Sequence, residues 1–142
     1  MKKALIVLLA VGAIVVWVSA QEPEHISVQH ILIAFQGSIP DAKVTRTKAE
    51  AEALANLVFD RAQKGEDFGS LVKQFTDDEY PGIYGMSNFN AAPDASKKEY
   101  PRAKMVKSFG DVGFSLPVGG IGLAVYDPKD SKYGWHIIKR LE

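Results

Sequence analysis

The chain holds only three histidines. Two of them, His30 and His136, sit in short apolar runs, Gln29-His-Ile-Leu-Ile33 and Trp135-His-Ile-Ile138. Imidazole is the side chain best suited to hold or pass a proton near neutral pH. One histidine in an apolar strand reads first as a core residue bonded to a neighbour. Two of them, in the first and last strands, can stack or bond to each other if those strands pair, each ring then fixing the other's tautomer. His25, at the edge of the domain, is given no role. Asp77-Asp78 closes an amphipathic helical stretch, where carboxylates oppose the helix macrodipole. Asp77 reads as a solvated helix end, and Asp78 invites another explanation. Met105, Phe109 and Phe114 lie in a Gly- and Pro-rich stretch. They are core by default, and walls of a concave pocket if that stretch curves.

Composition removes many alternatives. Zero cysteine excludes disulfides, thiolate metal sites and cysteine nucleophiles. Equal numbers of acidic and basic residues, 17 each, argue against a nucleic-acid partner, which needs clustered cations. No G-x-S-x-G elbow, phosphate loop or dinucleotide fingerprint is present. His30, His136 and Asp78 have the types of a two-histidine, one-carboxylate metal site, but no H-x-x-x-H spacing supports one.

The elements that must position these groups follow from pattern. Lys2-Lys3, the apolar run Ala4 to Val18, and Val18-Ser19-Ala20 before Gln21-Glu-Pro-Glu24 have the layout of a secretory signal peptide, residues 1–20. The alternative is a retained membrane anchor through residues 4–18, with the domain outside the membrane in either case. Residues 21–25 form a short linker. Residues 26–35 read as a central strand. Thr47-Lys-Ala-Glu50 is a capping box for a helix that stops at Lys64-Gly65, and Asp67 caps a second helix reaching Phe75. Residues 79–104 read as irregular, 104–109 as a short helix, and 111–121 as turn-rich. Residues 121–126 and 133–141 are the closing strands. In the last, Trp135, Ile137 and Lys139 face one way, and His136, Ile138 and Arg140 the other. The class is α+β, with first and last strands neighbours at the sheet centre.

An ordered set of short motifs resembles the parvulin-type peptidyl-prolyl cis-trans isomerases. It comprises Gln29-His-Ile-Leu-Ile33, Thr45-Arg-Thr-Lys-x-Glu50, Gly65-Glu-Asp-Phe68, Gln74-Phe-Thr-Asp-Asp78, Met105-Val-Lys-Ser-Phe109, Gly113-Phe-Ser-Leu116 and Tyr133-Gly-Trp-His-Ile-Ile-Lys139. The resemblance implies a domain over residues 26–142, with a four-stranded antiparallel sheet surrounded by about four helices. It also implies no cofactor and no metal. His30 and His136 fall on the family's paired central histidines, and Asp78 on a position held there by cysteine or aspartate. Met105 and Phe109 match the floor and wall of its proline pocket, Tyr84 a pocket-lining leucine, and Phe114 another apolar wall. Tyr133 takes a place where relatives carry serine or threonine, so bracing of His136 falls to Ser131 or to the Tyr133 phenol. The stretch of about 86–104 is an insertion. The loop after the first strand offers only Lys43 and Arg46, so no phosphoserine requirement is expected. The implied partners are proline-containing peptides and unfolded exported proteins, met by a monomer. The rival reading is a module that binds such segments with little turnover.

Overall fold

Thr47 caps the first long helix as its spacing predicts. In the computed structural model, which describes residues 21–142, its hydroxyl accepts from the Glu50 N–H at 3.2 Å and the Glu50 carboxylate accepts from the Thr47 N–H at 2.7 Å. That helix is α1 (Lys48–Gln63), and Asp67 caps α2 (Phe68–Phe75) through the Ser70 N–H. The signal-peptide reading of residues 1–20 lies outside the described residues.

Five strands form one sheet: β1 (His25–Ile33), β2 (Ile83–Ser87), β3 (Tyr100–Pro101), β4 (Ile121–Ala124) and β5 (Trp135–Arg140), in the order β3-β2-β1-β5-β4. The first and last long strands are central neighbours, as expected. The four longer strands pair antiparallel, and the fifth corrects the expected count of four. It is a two-residue piece of the 86–104 stretch that pairs parallel with Met86 and Ser87. Pro101 has no N–H to extend the ladder, so the strand stops there. The resemblance implied about four helices. Among the described residues there are three α-helices, α3 being Lys107–Ser115, and two single-turn 3-10 segments at Ala95–Lys97 and Arg102–Lys104.

Burial on both sheet faces explains the continuous apolar run at the end of β1. Ile31, Ile33, Trp135 and Ile137 pack on Ala51, Ala55, Val58, Leu71 and Val72 of helices α1 and α2. On the other face Ile26, Val28 and Ile138 meet Met86, Phe109 and Phe114 beneath α3. Two elements differ from their sequence reading for one reason. Residues 111–115, read as part of a turn-rich stretch, continue α3, within which Gly110 and Gly113 each let a neighbour come close. A Cβ on Gly113 would stand 3.2 Å from Met86 Cε, and one on Gly110 would stand 3.0 Å from Arg102 Cγ. Likewise β2, read as part of an irregular stretch, carries Gly85 where a Cβ would meet Glu99 Cγ at 3.1 Å. These glycines mark close packing, not chain reversal.

Candidate functional site

Register brings the two histidines together. His30 of β1 pairs with Ile138 of β5, and Leu32 with His136, so the imidazoles are diagonal neighbours on one face. Their rings stack with centroids 5.4 Å apart, and the two Nδ1 atoms lie 3.2 Å from each other. His30 Nε2 reaches the Asp78 carboxylate at 3.0 Å. Both rings are buried, at 3% and 4% exposure for His30 and His136.

Asp78 is delivered by the segment that leaves α2. The Thr76 hydroxyl accepts from the Leu32 and Asp78 N–H groups, both at 3.2 Å, and the Asp77 N–H donates to the Leu32 carbonyl at 2.8 Å. Asp77 is not the solvated helix end its position suggested. Its carboxylate accepts from the Ala34 N–H at 2.9 Å and from the Arg46 guanidinium. Three successive residues are thereby stitched to β1 beside His30. Arg46 is committed to this brace.

Protons can be assigned along the chain of groups. The Tyr84 hydroxyl donates to Asp78 Oδ2 at 2.9 Å, and His30 Nε2–H donates to the same oxygen. Between the two Nδ1 atoms one ring donates and the other accepts, so each ring fixes the other's tautomer. Hydrogen bonding from His30 holds the Asp78 carboxyl down to about 2, against the opposing effect of burial, with Tyr84 adding to the depression. Burial, and then the bond to Asp78, push the Tyr84 phenol up to about 12. Burial also drives His136 down to about 3, assisted by His30. The result is one carboxylate, partly open to solvent, tied through His30 to a buried and neutral His136. The nitrogens address each other and the carboxylate instead of a shared point, unlike metal ligands. Among the described residues no group of three or more His, Cys, Asp or Glu could hold a metal ion.

A cavity of about 360 Å³ opens against this network. His30, Asp78, His136, Tyr84, Met105, Phe109 and Tyr133 all line it. Phe109 packs edge-on to His30 and to His136, with ring centroids 5.0 and 5.4 Å away. Phe114 does not line it. That ring lies in the core with the Arg102 guanidinium 4.6 Å above it, which corrects its placement as a pocket wall. The bracing of His136 is corrected too. The Ser131 hydroxyl donates to the Gly134 carbonyl at 2.9 Å, and His136 Nε2 has no hydrogen-bond partner, Tyr133 included, among the described residues. Leu32, Ile39, Pro40 and Val106 complete the lining and were missed in sequence. The available signal was Ile39-Pro40, an apolar pair in an otherwise polar loop.

The depressed His136 has a consequence for stability. The unfolded chain takes up a proton on this ring near 6.5, whereas the folded chain refuses it until about 3. Between those values the unfolded state binds more protons, so stability falls as pH drops, by up to about 1.4 kcal/mol per unit. Asp78 adds its own loss between 3.8, its ordinary value, and about 2. Urea unfolding at pH 7 and pH 4.5 should show a steeper loss for the native protein than for His136→Gln. Equal losses would contradict a buried neutral His136.

Comparison with known proteins is consistent with this geometry. Residues 14–142 match the family model described as the PPIC-type PPIase domain. The chain is 30% identical to the chaperone SurA of Pseudomonas aeruginosa over 118 residues, covering 83% of this chain and 24% of that protein. It is 33% identical to the foldase protein PrsA of a Geobacillus species over 101 residues, covering 70% of this chain and 32% of that one. The chain thus spans about a quarter to a third of the length of these relatives. Among solved structures, TbPIN1 superposes with a TM-score of 0.61 at 24% identity, over 84% of this chain and 98% of that one, which establishes likeness of fold. Pin from the archaeon Cenarcheaum symbiosum gives a TM-score of 0.50 at 29% identity, over 84% and 93% of the two chains.

Proposed function

The chain belongs to the PPIC-type peptidyl-prolyl isomerase family, and from that premise we propose that it catalyses cis–trans isomerisation of X–Pro bonds in unfolded polypeptides. The observation that carries this reading is the 360 Å³ cavity, in which an apolar socket abuts the His30–His136–Asp78 network.

The chemistry needs no cofactor. Rotation about the peptide bond is slow because resonance gives it partial double-bond character, with a barrier of about 18–20 kcal/mol. Catalysis requires binding the twisted amide better than either planar form. Met105 and Phe109 hold the pyrrolidine ring by burial, with Tyr84 and Tyr133 as side walls. The planar amide carries the larger charge separation, since its nitrogen lone pair is shared with the carbonyl. A socket with little water therefore favours the twisted form. A carboxylate beside the carbonyl oxygen acts in the same direction, because it raises the energy of the more polarised planar state. Asp78 stays ionised for this role and orients His30, while His136 fixes the tautomer of His30. Covalent attack has no place in the scheme, since a carboxylate is a poor nucleophile toward an amide. The lack of a protein brace on His136 Nε2 favours one second reading, a module that grips proline segments with modest turnover.

The domain is assigned to residues 26–142, with an insertion at 86–104. Export is part of the proposal. It is supported by the basic start, the apolar run Ala4–Val18 and the small residue Ala20, with cleavage giving a mature chain that begins at Gln21. The clients are then unfolded exported proteins, in line with the names chaperone and foldase borne by its relatives. The test is refolding of a protein whose slow phase is X–Pro isomerisation. Catalytic amounts of the chain should accelerate that phase, whereas a pure binding module slows it or leaves it unchanged.

A further inference from the structure

A second, larger cavity of about 790 Å³ lies beside the first, and Tyr84 is a wall of both. It is bounded by the 79–82 turn, by β2 and by residues 97–100 of the insertion. Tyr80, Ile83 and Tyr100 line it, with exposures of 59%, 51% and 51%. Large apolar side chains left this open and grouped around one hollow mark a contact surface. The backbone is available as well. The His30 N–H donates to the Gly82 carbonyl at 2.9 Å, so antiparallel alternation turns the Ile83 backbone groups away from β1. Tyr100 and Pro101 pair only with Met86 and Ser87, which leaves Ile83 without a strand neighbour on that side among the described residues. The rim carries Glu79 and Glu142 against Lys97 and Lys98. Mixed signs of this kind select no charged ligand.

We propose that this cleft is the subsite for the part of a client chain that flanks the proline, taken as an extended segment along the open edge of β2 with its apolar side chains against Tyr80, Ile83 and Tyr100. The inference rests on the isomerase reading for the first cavity, and continuity through Tyr84 is what selects the occupant. One chain with its proline on Met105 and Phe109 passes Tyr84 to enter the cleft. Edge-strand addition supplies affinity independent of sequence, and the apolar contacts add preference for unfolded chains. The 86–104 insertion thereby acquires a purpose, since it supplies one wall.

The experiment compares a blocked Ala-Pro tetrapeptide with a peptide of about twelve residues that has one central proline and leucines on both flanks. Native protein should show a kcat/KM about tenfold higher for the long peptide. Ile83→Ser/Tyr100→Ser should erase that advantage and leave the tetrapeptide rate unchanged. Tyr100→Ser alone, on the edge strand, replaces the double variant if melting shows that the latter is unfolded. Equal rates for the two peptides with native protein would overturn the cleft while the isomerase reading stands. Absence of turnover on both peptides would instead sink the isomerase reading. Anisotropy of the labelled long peptide then still reads the cleft: weaker binding by the variant upholds it, and equal binding overturns it. A dimer of the native chain that these substitutions dissociate would assign the surface to a second copy and overturn the proposal.

Discussion

Asp78→Ala and His30→Ala should each lower turnover of an Ala-Pro peptide at least tenfold, about 1.4 kcal/mol or more in barrier. Peptide affinity should change less, because the socket around Met105 and Phe109 supplies most of the contact. Asp78→Ala leaves the buried His30 Nε2–H without its acceptor, so a stability loss of about 1–3 kcal/mol accompanies it. Asp78→Asn separates the two effects, since an amide oxygen still accepts from His30 while the charge is gone. Turnover should fall with melting little changed. Both residues act through one chain of hydrogen bonds, from Tyr84 through Asp78 and His30 to His136. The double variant Asp78→Ala/His30→Ala should therefore be little worse than the poorer single one. Melting and turnover measured on the same samples decide. Undiminished turnover in a folded double variant would rule out a catalytic role for the network.

Gly134→Ala should be the most damaging single substitution for the fold. Gly134 has φ +140°, and a Cβ there would stand 2.1 Å from the Ile33 carbonyl oxygen. No side-chain adjustment relieves a clash with backbone. Ile33 pairs with Trp135, so relief requires opening the start of the β1–β5 ladder, which displaces His136 with it. A loss of about 4 kcal/mol or more is expected, read as a fall in Tm of about 10–20 °C. Gly119→Ala is the control. Its φ is +81°, but nothing lies within 4 Å of a Cβ at that site, so only backbone strain of about 1 kcal/mol applies. Similar losses for the two would contradict the close approach at Gly134.

The sequence made legible whatever depends on local pattern. Thr47-Lys-Ala-Glu50 is self-contained, since both partners of the capping box lie within one turn, and α1 begins where it says. The alternation of Trp135 to Arg140 likewise orients His136 correctly, because strand period does not depend on partners. The approach of His30 to His136 needed only that the first and last strands pair. What escaped depends on contacts distant in sequence. Residues 111–115 look turn-rich until Met86 is seen close above Gly113. Asp77 looks like a solvated helix end until the Ala34 N–H and Arg46 are seen against its carboxylate. Ser131 and Tyr133 each carry a hydroxyl near His136 in sequence, but the strand entry sends the Ser131 hydroxyl to the Gly134 carbonyl instead. Phe114 matches a wall position by order along the chain, yet its turn of α3 points it into the core beside Val28 and Ile138.

The central claim is that the chain turns X–Pro bonds over as well as holding them. Magnetisation exchange in NMR between the cis and trans forms of an Ala-Pro peptide reads this directly, because uncatalysed exchange takes tens to hundreds of seconds. Exchange cross-peaks between the two free forms should appear at substoichiometric protein and should be lost with Asp78→Asn. Peptide signals that shift or broaden on binding, with no exchange between the isomers, would contradict the account and leave a proline-binding module in its place.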